Sequence, residues 1–238
     1  LRISELQTEI VSSNVLRDSL RGLEKIEELE AIAEPNDNQV RQFILRSRAI
    51  LGKLVDGKVE PYSLEEKLEM LFEAIRLTSP YFDIDHIDKG LYCIDEVKVI
   101  NQIANIYSKQ GKREQALQIF VQLIEYIKQH FHNVKQSGGL LPLVSFNYAR
   151  ELDLDGQYEK AIEVAHLGWE SCVQYGQYAT LPSSIEIIAE CYHFLGDDEK
   201  SKDYYKQAYY IYKAIGDSHG LDSMKTEIAK YFGSNFQL

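Results

Sequence analysis

Three short groups of residues in this chain have the types and spacing to hold a peptide. Lys98, Asn101 and Asn105 lie three and four apart and so share one stripe of a helix. An asparagine side chain both donates and accepts, so it can pair with the N–H and C=O of one peptide unit in an extended ligand. Two asparagines a turn apart can therefore grip a backbone without reading its side chains. Phe146, Asn147 and Arg150 form a second group, in which Arg150 suits a carboxylate. Glu186, Glu190 and His193 form a third, in which either glutamate suits an amine.

Other chemistry finds little support. The chain has no glycine-rich phosphate loop, no nucleophile elbow and no recognisable pair of catalytic carboxylates, so no catalytic residue is expected. His130 and His132 are two apart and would point to different sides of a helix. His86 stands among Asp83, Asp85 and Asp88, but without the glycine and spacing of a calcium loop, so this stretch reads as a solvated acidic loop. Cys93, Cys172 and Cys191 lack metal-ligand spacing and read as reduced, buried small hydrophobes. Neither a metal nor another cofactor is expected.

The elements that would position the three groups come from a recurring pattern. In Asn101-Gln-Ile-Ala104-Asn-Ile-Tyr107-Ser-Lys-Gln-Gly111-Lys-Arg-Glu-Gln-Ala116-Leu-Gln-Ile-Phe120, a small residue precedes an aromatic, a turn glycine, a second small residue and a second aromatic. Gly156 repeats the pattern with Ala149 and Ala161, and Gly196 repeats it with Ala189, Tyr205 and Ala208. Small residues let two helices approach closely, and each glycine can end a helix in a left-handed conformation. The pattern is that of a tetratricopeptide (TPR) array. The turn glycines are 45 and 40 residues apart, longer than the usual repeat of about 34. Longer helices follow, and with them a tall right-handed superhelix of antiparallel helix pairs with a deep groove. In that register the first helix of each pair lines the groove, which places the three groups there.

Eleven helices are expected. The first covers about 1–13, with Leu6, Ile10 and Val11 inward, and Ser13 and Asn14 cap a second over 15–33. Glu24 to Glu34 is an exposed acidic face. A third helix covers 38–55, carrying Val40, Phe43, Ile44, Ile50 and Leu54, and a loop from Asp56 leads to Pro61. Ser63 and Glu66 form a capping box for a fourth over 63–78, with Leu71 and Ala74 inward. Residues 79–90 are an irregular acidic loop. Helix pairs then flank Gly111, Gly156 and Gly196, and a last helix from Asp217 to near Phe232 caps the array. No strand is expected. The tyrosines Tyr204, Tyr205, Tyr209, Tyr210 and Tyr212 read as interhelix filling, with outward-facing members free to serve an interface.

Composition narrows the function class. Hydrophobic content of 45% and charged content of 26% are those of a soluble protein. A net charge of -11 disfavours nucleic acid, because phosphates would be repelled. No apolar run reaches membrane-spanning length and no signal-peptide pattern opens the chain, so a cytoplasmic protein without membrane contact is expected. Leu1 to Val11 already reads as helix, which suggests a removed upstream segment.

Several phrases carry a family resemblance: Arg41-Gln-Phe-Ile-Leu45, Leu71-Phe-Glu-Ala-Ile-Arg-Leu-Thr78, Val99-Ile-Asn-Gln-Ile-Ala-Asn-Ile-Tyr107, Phe146-Asn-Tyr-Ala-Arg150 and Gln207-Ala-Tyr-Tyr-Ile-Tyr-Lys-Ala-Ile-Gly216. From Leu1 to Phe232 the chain resembles the C-terminal TPR region of RRNPP-type (Rgg-, NprR- and PlcR-like) bacterial transcription regulators, with the Rap phosphatases as relatives. The resemblance implies a single TPR-like domain over 1–238 that senses a short signalling peptide and dimerises, as in quorum sensing. It also implies that DNA is reached only through an N-terminal helix-turn-helix domain missing from this chain. Tyr209, Tyr212, Ile228 and Phe232 are the expected homodimer contacts. Two alternatives stay open: a constitutive TPR scaffold that grips a protein partner, and a Rap-like regulator of a phosphorelay.

Overall fold

Helix ends in this chain are set by short-range capping. In the computed structural model, which describes residues 1–131 and 138–233, Asp18, Asp37, Ser63, Asp197 and Asp217 each accept a backbone N–H from the first turn of a helix. Ser63 and Glu66 close the expected capping box, with both bonds formed. The chain divides into two compact units, Leu1–Lys112 and Arg113–Leu238.

The first unit holds α1 (Arg2–Val15), α2 (Ser19–Ile32), α3 (Asn38–Leu51), β1 (Lys53–Val55), β2 (Lys58–Glu60), α4 (Leu64–Thr78), a 3-10 turn (Ile87–Lys89) and α5 (Ile94–Lys109). Leu6, Ile10, Leu23, Ile26, Leu29, Val40, Ile44 and Leu51 form one buried cluster. Polar bonds tie the later helices together. Gln42 of α3 donates to the Ala74 carbonyl and to Thr78 Oγ1 of α4. Thr78 and Ser79 in turn donate to the buried Glu96 carboxylate of α5, both at 2.6 Å.

Several expectations for this unit need correction. The first helix runs on to Val15, and α2 is capped by Asp18 rather than by Ser13 and Asn14. Ser13 instead faces inward, its hydroxyl bonded to the Glu9 carbonyl. Val11, read as inward, is 49% exposed, and Ile50 of α3 is also exposed. α3 ends at Leu51 with Gly52 as its C-cap, not at 55, and a two-stranded antiparallel hairpin follows where no strand was expected. Its turn is Asp56-Gly57, both at positive φ, and such a pair matches the twist of the flanking strands. Three-residue strands are too short to show alternation, which is why only the turn dipeptide marks the hairpin. Cys93 is exposed rather than buried, because it sits at the N-cap of α5, where its N–H donates to Glu96.

The second unit holds α6 (Arg113–His130), α7 (Leu140–Leu154), α8 (Tyr158–Tyr175), α9 (Leu181–Phe194), α10 (Asp198–Ile215) and α11 (Ser218–Phe232). Each packs on the next, and α9 also touches α7 and α11. So α7, α9 and α11 form one layer, with α8 and α10 on the other side. The TPR-like, all-helical plan is confirmed apart from the hairpin. Gly111, Gly156 and Gly196 have φ of 78°, 76° and 83°. Around the last two the same bonds recur: Gly156 and Gly196 donate to Asp153 and His193, and Gln157 and Asp197 donate to Leu152 and Tyr192. Ala104, Ala149, Ala161, Ala189 and Ala208 are all fully buried, as close helix packing requires.

Candidate functional site

Arg150 projects from α7 into a group of acids on the α7–α9–α11 layer. Its guanidinium bonds Glu190 of α9 and lies 3.2 Å from Asp153 Oδ2 of its own helix. The 40-residue spacing of the turn glycines sets the first pair, since Arg150 and Glu190 hold matching positions in successive repeats. Tyr231 of α11 donates to the other Glu190 oxygen at 2.7 Å. Cys191 donates its thiol proton to Asp153 at 3.4 Å. One turn before Glu190, Glu186 accepts from Tyr212 of α10 at 2.9 Å, and Ser183 Oγ lies 3.1 Å from that same hydroxyl. His193, one turn after Glu190, packs its ring 4.5 Å from that of Tyr231 and holds Asp198 at 2.8 Å.

Acid outnumbers base in this group, and burial makes the imbalance costly. Burial lifts the Glu186 carboxyl to about 8, with Glu227 and Glu190 adding and Tyr212 and Arg150 opposing. Burial also lifts Asp153 to about 6; Glu190 adds to the rise and Arg150 resists it. Glu227 of α11 is raised as well, by burial and then by Glu190. At neutral pH Glu186 therefore holds its proton for want of a cation. The Cys191 thiol is pushed far up by burial and by Asp153, so it is no thiolate nucleophile. Tyr205 is 1% exposed and its hydroxyl finds no hydrogen-bond partner. Glu190 and Glu227 are the charges that bear most on it.

The structure unites the second and third predicted groups in part. Arg150, Glu186, Glu190 and His193 all belong to this layer. Arg150 is already paired with two carboxylates, so the expected vacant partner for a ligand carboxylate is not there. Phe146 and Asn147 are half-buried on α7. In the first unit, Lys98 is half-buried and bonds Asp95 at 3.2 Å, Asn105 is half-buried, and Asn101 is only 3% exposed. Asn101 thus faces helix packing more than open solvent. The sequence reading missed Asp153, Glu227 and Tyr231, and it took Tyr205 and Tyr212 as interhelix filling, with Tyr212 also a dimer contact. Asp153 was within reach, being one turn beyond Arg150. The α11 pair was hidden because the last helix was read as a cap and a dimer surface, not as part of the site.

Among the described residues no group of three or more His, Cys, Asp or Glu is placed to hold a metal. His86 sits 2.8 Å from Asp83 in an exposed loop. His132 lies outside the described residues. No helix among them is long and apolar enough to cross a membrane.

Residues 8–219 match the profile of the RNPP family C-terminal domain. The chain belongs to this family. No curated protein matches the sequence. Solved structures share the RNPP-type fold at low identity. PlcR of Bacillus thuringiensis in its apo form is 16% identical, with a TM-score of 0.72 over 95% of this chain and 78% of that one. The same protein in complex with the peptide PapR7 and DNA is 17% identical, with a TM-score of 0.73 over 94% of this chain and 74% of that one. A Rap protein complexed with Competence and Sporulation Factor is 12% identical, with a TM-score of 0.66 over 98% of this chain and 60% of that one.

Proposed function

We propose that this chain is the ligand-sensing region of a cytoplasmic bacterial transcription regulator and that it binds a short peptide. The observation that carries this reading is the excess of buried acid around Arg150. A protonated Glu186 and a raised Asp153 lie on one helical layer, and the unpartnered Tyr205 hydroxyl, which feels Glu190 and Glu227 of that layer, comes from α10. Such a layer is poorly satisfied alone and gains most from an incoming ammonium or guanidinium. Family membership supports the peptide class, since fold relatives were solved with PapR7 and with Competence and Sporulation Factor. In this reading Glu186 and Glu190 hold a cationic group of the peptide. Arg150 sets the orientation of Glu190, and Phe146, Asn147 and His193 flank it. In the first unit, taken by itself, Lys98, Asn101 and Asn105 are a second candidate set for holding a peptide backbone.

The chain acts in this reading by binding rather than by catalysis, because its best-placed nucleophile, Cys191, is held protonated. DNA contact falls to a separate reading head, given the -11 charge here. A homodimer fits the family, but its surface needs revision from the sequence expectation. Tyr212 and Ile228 are each 3% exposed and belong to the core, whereas Tyr210 is 64% exposed.

The test is calorimetry with synthetic five- to seven-residue peptides. For a peptide that binds, Glu190→Gln and Asn105→Ala should each weaken affinity about tenfold, the order expected from losing one charged or buried hydrogen bond, with helical content unchanged. Unchanged affinity in Glu190→Gln, Asn105→Ala and Arg150→Ala alike would send the ligand elsewhere.

A further inference from the structure

The opposite layer of the second unit carries a different feature. His166, Trp169, Glu170, Val173 and Gln174 follow one another along the outer face of α8, and Tyr204 of α10 stands beside them. These six residues line a cavity of about 470 Å³. Its walls are rings at right angles. Trp169 and Tyr204 are 6.3 Å apart with planes 89° apart, and His166 stacks alongside Trp169 at 5.5 Å and 16°. His166 meets Tyr204 at 6.2 Å and 73°. Behind the corner, Tyr192 stacks on Tyr204 at 5.5 Å, and Lys200 lies 4.9 Å over Tyr192. Tyr204 is thus braced, and Trp169 is half-buried against the core of this unit. Glu170, by contrast, is exposed at the rim.

We propose that this aromatic corner is a docking site for an arginine side chain presented by a protein partner. The faces of indole and phenol rings carry partial negative charge and attract a cation. A guanidinium is planar, so it can stack on one wall while its edge N–H groups reach the Glu170 carboxylate. A lysine ammonium matches a flat wall less well. The charge of the chain agrees, since -11 draws a basic segment and repels nucleic acid, the other common user of stacked aromatics. The site lies on the α8–α10 layer, so it is separate from the acidic layer of α7, α9 and α11.

Trp169 is the chain's one tryptophan, so its fluorescence reports the corner directly. The probe is acetyl-Gly-Arg-Gly-amide, titrated into the 238-residue chain against the same peptide with neutral citrulline in place of arginine. The expected result is a saturable change in Trp169 emission with arginine, and binding weaker by about 2- to 30-fold with citrulline, the span of measured cation–π energies. Glu170→Gln, at an exposed position, should weaken the arginine peptide several-fold, and Tyr204→Leu should abolish the response. Glu186→Gln should leave it unchanged. Equal binding of the two peptides, or no saturable change at tens of millimolar, overturns the proposal. A response that survives Glu170→Gln but disappears in Glu186→Gln also overturns it, by moving the arginine to the acidic layer; the peptide-sensing reading would then stand without the corner.

Discussion

Tyr212 donates its hydroxyl proton to Glu186 at 2.9 Å, joining α10 to α9 beneath the acidic layer. The carboxyl that accepts it is itself protonated near neutral pH, because burial outweighs this one bond and lifts it to about 8. A raised carboxyl pKa makes folding weaken with pH: between the unfolded value near 4.5 and the folded value, the native state holds a proton that the unfolded chain has released. Asp153 adds the same trend between its ordinary value and about 6.

The first prediction follows. Glu186→Gln keeps an acceptor for Tyr212 and removes the charge. It should stabilise the chain above pH 8 and change little near pH 4.5, flattening stability between those limits. Urea denaturation at several pH values checks this. A variant that loses stability equally at pH 5 and pH 8.5 would show that Glu186 matters through packing and not through its proton.

Arg150 makes the second. Arg150→Met keeps an aliphatic stem but leaves Asp153 and Glu190 with only Cys191 and Tyr231 as donors. Unpaired buried charge is expensive, but 36% of the Arg150 side chain is exposed and water screens part of the effect. The expected loss is about 1–2 kcal/mol at pH 7. It should shrink toward pH 5, where Asp153 takes up a proton. A loss independent of pH would count against the charge account.

Legibility in the sequence differed with the range of the interaction. The Ser63–Glu66 box, the start of the last helix at Asp217 and the glycines at 111, 156 and 196 depend on neighbours within five residues, and all stand as read. The α2 start did not, because Ser13 is a buried residue in the last turn of α1 and Asp18 provides the cap instead. The repeat register placed Arg150, Glu186, Glu190 and His193 on one layer. It could not show that Arg150 is already engaged, since Glu190 is 40 residues away and the bond depends on helix packing. Tyr212 and Ile228 look like surface aromatic and apolar residues until α9, α10 and α11 close over them.

The last prediction separates two costs at glycine. Gly196 has φ of 83°, and a Cβ added there would meet nothing within 4 Å. Gly196→Ala should therefore cost only the left-handed backbone penalty, about 1 kcal/mol, and Gly196→Asn less, because asparagine tolerates that region. Gly52 has φ of 104°, and a Cβ there would run into the carbonyl oxygen of Glu60, which β2 holds opposite Lys53. Gly52→Ala must bear the same penalty and also displace the hairpin, so its loss should be larger, about 2–3 kcal/mol, in the range of strained special-φ positions. Urea midpoints followed by far-ultraviolet circular dichroism rank the two. If Gly196→Ala proves the more costly, the turn between α9 and α10 is doing more than reversing the chain, and the helix pair would need a contact there that the open space around Gly196 does not provide.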